Sequence, residues 1–362
     1  MDQACRIKKL PSLPAISQTE RDMATDLPAR ILIVRLGALG DVVNGLALAN
    51  ALVRERPDVE IGWLSHELAL PLLEGHPSIA RVHLLPRGGG LGGLIRVVRE
   101  VRSRGYDLVL DLQRLTKSAL LARWSGAPRR IGFDRARTKE GSWIWLGEHV
   151  AAASALRPMA EQALDFARHL GIPEPRVELD LARDPDAERW AQSWTLQHGA
   201  RLVLLNIAAT KPANRWPPVS WGLLARKLGL QPGLVVALSG GPGDRELARQ
   251  VVESGAEGAI DLVGATDLRQ LIALQRRAAL VISADTGPMH TAAAVGAPLI
   301  ALFGAADERR TGPYGQLPGV LRTRPECAPC GRRTCPLPRH ICMLDLSVDT
   351  VYRAAIARLA QP

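Results

Sequence analysis

Two long runs of alternating segments constrain this chain more than any other feature. In the first, short β-branched apolar stretches at 30–36, 60–64, 82–85 and 108–111 alternate with stretches of helical apolar spacing at 42–54, 69–74, 91–103, 117–124 and 161–170. A segment rich in proline and charge, from Gly171-Ile-Pro-Glu-Pro-Arg176 through Asp184-Pro-Asp186, breaks the pattern. A second run follows, with strands at 202–206, 234–239, 259–261, 280–283 and 299–303 and helices at 221–228, 244–254, 268–276 and 291–295. Such alternation builds parallel sheets wrapped by helices. The 362 residues suit two units of about 150 residues each. The fold class is therefore α/β, with expected divisions into a disordered N-terminal extension (1–28), a first domain (29–178), a second domain (179–345) and a closing helix (346–362) that packs back on the first domain.

Composition narrows the function classes. With 47% hydrophobic and 23% charged residues, the chain reads as a soluble globular protein. Its longest nearly apolar stretch, 292–306, contains Gly296, Pro298 and Gly304 and is too short and broken to span a bilayer. The first 28 residues lack the apolar core of a secretory signal, so a cytoplasmic location is expected. A net charge of +10 calls for an anionic partner or surface. With only 4% aromatic residues no base-stacking platform is visible, which disfavours nucleic acid.

Two turns carry the chemistry. Ile31-Leu-Ile-Val-Arg-Leu36 runs into Gly37-Ala-Leu-Gly40-Asp41 and then a helical stretch; the glycines permit a tight turn and close backbone approach. This Gly-x-x-Gly-Asp is not the dinucleotide fingerprint Gly-x-Gly-x-x-Gly, so a nicotinamide enzyme is a poor fit. Ala278-Ala-Leu-Val-Ile282 runs into Ser283-Ala-Asp-Thr-Gly-Pro-Met-His290 and an Ala-rich helix start, an arrangement that aims backbone N–H groups at a phosphate. Both turns also fit a blander reading, acidic helix starts with a core histidine.

These residues, with Tyr106-Asp-Leu-Val-Leu-Asp-Leu-Gln-Arg-Leu-Thr-Lys-Ser118, Arg130-Ile-Gly-Phe-Asp134, Arg215-Trp-Pro217, Leu302-Phe-Gly304 and Thr311-Gly-Pro-Tyr-Gly315, resemble the ADP-heptose:lipopolysaccharide heptosyltransferases of glycosyltransferase family 9. The cysteine-bearing tail is more similar to the heptosyltransferase II type. The resemblance covers most of 30–358. It implies a GT-B architecture, two Rossmann-like doubly wound domains facing a central cleft. It implies transfer with inversion of L-glycero-D-manno-heptose from ADP-heptose to the lipopolysaccharide inner core (Kdo-lipid A or heptosyl-Kdo-lipid A), peripherally at the cytoplasmic face of the inner membrane, with no cofactor required.

Residue by residue, the resemblance carries the general base to Asp41, which would take the proton of the attacking hydroxyl. The diphosphate clamp falls on Thr286 and Gly287, with His290 one turn on, and Asp285 would hold the donor sugar or position these groups. Thr210, Lys211, Asn214 and Arg215 form a third donor element. The family commonly has lysine where this chain has Asn214, so Lys211 or Arg215 must meet the phosphate charge. Asp244, or alternatively Glu246, would hold a ribose diol. Gln113, Arg114, Lys117, Arg130 and Arg135 are acceptor candidates because arginine forks match phosphate and carboxylate oxygens. Cys327, Cys330, Cys335 and Cys342, with His340 nearby, have the ligand count of a structural zinc site; free buried thiols explain them as well. Other readings stay open: another acceptor, such as a protein or different glycan, another nucleotide-sugar donor, or a non-catalytic anion binder.

Overall fold

The computed structural model describes residues 27–199 and 201–361. The expected N-terminal extension lies outside the described residues except for Leu27 and Pro28. Leu27 is already buried in the first core, and its carbonyl accepts from Arg56 Nη1 at 2.6 Å.

The first domain is a six-stranded parallel sheet of β1 (Arg30–Val34), β2 (Glu60–Ser65), β3 (Arg81–Leu84), β4 (Leu108–Asp111), β5 (Arg129–Gly132) and β6 (Glu148–His149), in the order β3-β2-β1-β4-β5-β6. Both faces are covered, which is why β1 reads as an unbroken apolar run rather than an alternating one. Ile31 and Ile33 point to a core shared with α1 (Leu39–Glu55), while Leu32 and Val34 point to an opposite core. That second core is covered by α2 (Gly90–Arg104) and α3 (Thr116–Trp124). The helix α4 (Met159–His169) lies beside α1.

The second domain repeats the plan with β7 (Arg201–Asn206), β8 (Leu234–Ser239), β9 (Ile260–Asp261), β10 (Leu280–Ala284), β11 (Leu299–Phe303) and β12 (Val320–Arg322), in the order β12-β11-β10-β7-β8-β9. One face is covered by α5 (Pro218–Gly229), the other by α6 (Leu268–Arg277) and α7 (Gly287–Ala294). The closing helix α8 (Val348–Leu359) packs on this domain and does not return to the first. Its stripe Val351, Ala355, Leu359, spaced by four, is buried in the second core, and Lys227 Nζ reaches Asp349 at 2.6 Å from α5. Between the domains, residues 171–184 form no helix or strand; Val177, Leu179 and Leu181 lie against the first core.

In each sheet the strand order reverses once, between β1 and β4 and between β7 and β10. Open α/β sheets hold ligands at the carboxyl ends of the strands flanking such a reversal. Here the two reversal points face each other, because α1 and α7 meet at their N-termini: a Cβ on Gly287 would lie 2.8 Å from Leu39 Cβ.

Candidate active site

Asp41 stands in the first turn of α1, directly after β1. Arg35, at the end of the strand, is buried. It forms an ion pair with Asp41 through Nη2 and donates Nη1 to Leu112 O. Burial works to raise the Asp41 carboxyl. The Arg35 guanidinium outweighs it, with smaller help from His290 and the Ala38 backbone, and holds the group below the ordinary carboxylate range. Its side chain is still 35% exposed, so an ionised acceptor of protons reaches the cleft. Sequence reasoning missed Arg35, although a lone arginine closing an apolar strand was a visible signal.

His290 belongs to the same junction rather than to the open cavity. A Cβ on Gly40 would overlap its ring, with Nε2 only 2.8 Å away, so glycine at 40 lets the two domains touch. Asn44 Nδ2, a donor only, lies 3.4 Å from Nδ1, which places the ring proton on Nε2. Burial pushes the imidazole down to about 4, against the pull of Asp41, so it is neutral at neutral pH.

Asp285 closes β10. Asn214 donates Nδ2 to Asp285 Oδ2 at 2.9 Å and to its carbonyl at 3.4 Å. Burial lifts the Asp285 carboxyl to about 6; Lys211 and Asn214 pull it down, Asp41 pushes it up, and Arg310 pulls it down. The two facing carboxylates are thus driven apart: Asp41 stays ionised while Asp285 titrates near neutrality.

A cavity of about 870 Å³ opens beside this pair, in the second domain with Leu39 as a wall from the first. Thr210, Arg215, Asp244 and Thr286 line it. Arg215 Nε is fixed by Ala209 O at 3.0 Å, and Asp244 Oδ2 accepts from Gly241 N at 2.9 Å. Thr286 is the N-cap of α7 but makes no side-chain cap, so its hydroxyl is uncommitted there. Glu246 does not line the cavity; it is exposed and engaged by Arg249 and Gln250. Of the two acids, Asp244 is thus the one at the cavity wall. Sequence reasoning also missed the turn Gly264-Ala-Thr-Asp267-Leu268, a further wall. Its signal was a glycine followed by the capping box Asp267…Gln270.

Of the acceptor candidates, Arg114 is held inside the first domain. It is buried with φ 69°, donates to Gln162 Oε1 at 2.7 Å and stacks 3.9 Å from the Phe133 ring. Burial, then repulsion from Arg35, Arg310 and Arg137, brings its guanidinium down to about 9, with Asp41 acting the other way. Gln113 is committed elsewhere, as its Oε1 accepts from Leu36 N at 2.9 Å. Arg130 donates to Ala127 O at 2.7 Å. Lys117 and Arg135 are exposed, with Arg135 over the Trp143 ring at 5.5 Å.

The four cysteines and His340 line one cavity of about 290 Å³. Among the described residues, however, no group of three or more His, Cys, Asp or Glu side chains is arranged to hold a metal ion. The expected zinc site is not formed, and the cysteines are free thiols, from exposed Cys327 and Cys330 to buried Cys342. Nor is this loop remote from the donor turn: Ala213 N donates to Arg333 O at 3.1 Å.

The model of glycosyltransferase family 9 (heptosyltransferase) matches residues 94–341. The chain belongs to glycosyltransferase family 9. It is a GT-B glycosyltransferase. It is 27% identical over 314 residues to the lipopolysaccharide core heptosyltransferase OpsX of Haemophilus influenzae, covering 84% of this chain and 87% of the relative. It is 28% identical over 330 residues to lipopolysaccharide heptosyltransferase 1 of Pseudomonas aeruginosa, covering 84% and 87%. Among solved structures, the ADP-heptose lipopolysaccharide heptosyltransferase II of E. coli superposes with a TM-score of 0.75 at 24% identity, covering 91% of this chain and 98% of that one. Relatives of both heptosyltransferase types thus resemble this glycosyltransferase.

Proposed function

We propose that this glycosyltransferase moves heptose from ADP-heptose to a sugar hydroxyl of the lipopolysaccharide inner core by a single displacement with inversion. Asp41 is the general base. It is ionised, reaches the cleft and sits at one strand-order reversal, facing the donor turns at the other. That relationship carries the proposal. Thr210, Lys211, Arg215, Thr286 and the N-terminus of α7 would meet the diphosphate, because backbone N–H groups and cations stabilise the charge that develops on leaving ADP. Asp244 would accept from the ribose hydroxyls. Asp285, oriented by Asn214, would hold the heptose, and Arg114 would meet an anionic acceptor group. No metal is needed for this chemistry, since the pyrophosphate charge has protein donors. The acceptor is lipid-linked, so the protein would act peripherally at the cytoplasmic face of the inner membrane; among the described residues no helix is long and apolar enough to cross one.

The test is incubation with ADP-heptose and defined truncated lipopolysaccharides, read by mass. One added heptose on one acceptor supports the reading. Transfer from other nucleotide sugars only, or to proteins only, would replace it.

A further inference from the structure

The helix α2 has two unlike faces. Val97 and Val101 are buried in the first domain, with Leu94 and Val98 half-buried beside them. A second stripe, beside the buried one, runs Leu91, Ile95, Arg99, Arg102, spaced by four, four and three, which keeps it on one line of the helix. Leu91 is 71% exposed and Ile95 41%, two large apolar side chains in water on adjacent turns. Arg96, Arg99 and Arg102 are exposed around them, as is Arg87 just before the helix. Among the described residues none of these four arginines makes an ion pair, because the one acid of the helix, Glu100, is held by His83 at 2.7 Å. On the neighbouring α3, Arg123 and Trp124 are exposed too.

We propose that this face of α2 docks on an anionic lipid bilayer, with Leu91 and Ile95 inserted among the acyl chains and the arginines on the headgroups. An apolar tip collared by unpaired cations is the pattern that binds membrane surfaces, whose headgroups supply the missing negative charge. A nucleic acid would match the charge, but the stripe itself offers no aromatic ring for a base, and Trp124 alone on the neighbouring helix makes no stacking platform. Because α2 follows β3, its first turn lies at the same carboxyl edge of the sheet as Asp41. Docking there would bring the base toward the membrane. The inference deepens the proposed function and rests on its lipid-linked acceptor.

The full chain is floated with vesicles of phosphatidylcholine and phosphatidylglycerol, which carry a negative surface, and with vesicles of phosphatidylcholine alone, which do not. Binding to the anionic vesicles only is expected. Exposed substitutions keep the fold, as thermal melting will verify. R96Q/R99Q should lower the partition coefficient about 30-fold, and L91S/I95S at least about tenfold. R226Q/R353Q, an equal charge loss on the second domain, should leave it unchanged. Equal binding by all variants, equal loss in the control pair, no binding to anionic vesicles, or displacement from vesicles by a single-stranded oligonucleotide would each overturn the proposal. Vesicle binding with no heptose transfer to any acceptor, including water-soluble core sugars, would instead sink the functional reading and leave the docking face standing.

Discussion

The side-chain amide of Asn214 donates to the carboxylate of Asp285 at 2.9 Å, across the turns that end β7 and β10. A neutral donor such as this amide neutralises less charge than a cation would. Burial lifts the Asp285 carboxyl to about 6, and Lys211 and Asn214 pull it only part of the way back. N214K should bring it down, moving the acid limb of the pH–rate profile to lower pH. An unmoved limb would show that Asp285 does not set it.

Gly40 lies against the His290 ring where the two domains meet, with no room for a Cβ. G40A should destabilise the protein by about 1–3 kcal/mol, as overpacking does, and lower kcat/KM by disturbing the approach of the two domains. Truncating the ring should relieve the clash, so G40A/H290A should be less destabilised than the sum of the single variants. Thermal denaturation of the four proteins measures that coupling directly.

His290 also fixes the sign of one pH effect. Its imidazole titrates near 4 when folded and near 6.5 when unfolded. Between those values the unfolded chain binds more protons, so the contribution of His290 is complete above 6.5 and is lost as pH falls toward 4, about 3 kcal/mol in all. H290Q should show a shallower loss of stability over that window in denaturant titrations. A loss as steep as in the parent protein would mean that the ring is not buried and neutral.

Asp244 and Glu246, two residues apart, should separate cleanly. D244N should weaken ADP binding about 10- to 100-fold, the effect of losing a charged acceptor of hydrogen bonds. E246Q should leave it within about twofold, because an exposed ion pair contributes little. Calorimetry with ADP distinguishes them.

Much of this architecture was legible because period and punctuation survive in the primary structure. The apolar runs ending at Leu36 and at Ser283 announced strands, and the glycines and acids behind them announced ligand turns. The relationships that tertiary packing creates were not legible. Nothing local says that Gly40 touches His290, 250 positions later, or that Arg35 turns inward to Asp41. Glu246 and Asp244 look alike as helix-start acids until the helix is docked and one points away. The cysteine spacing counted ligands correctly but carried no information on whether the loop brings the sulfurs within reach of one ion. The closing helix was misassigned because its apolar stripe names a partner surface only once α5 is in place.

Whether Asp41 acts as base while the second domain holds the nucleotide is read by measuring kcat and ADP affinity of D41N together. Asparagine keeps the shape and removes the charge. D41N should lower kcat by about 10²–10⁴ while the Kd for ADP stays within about threefold. Retained turnover, or loss of ADP binding in step with activity, would contradict that assignment.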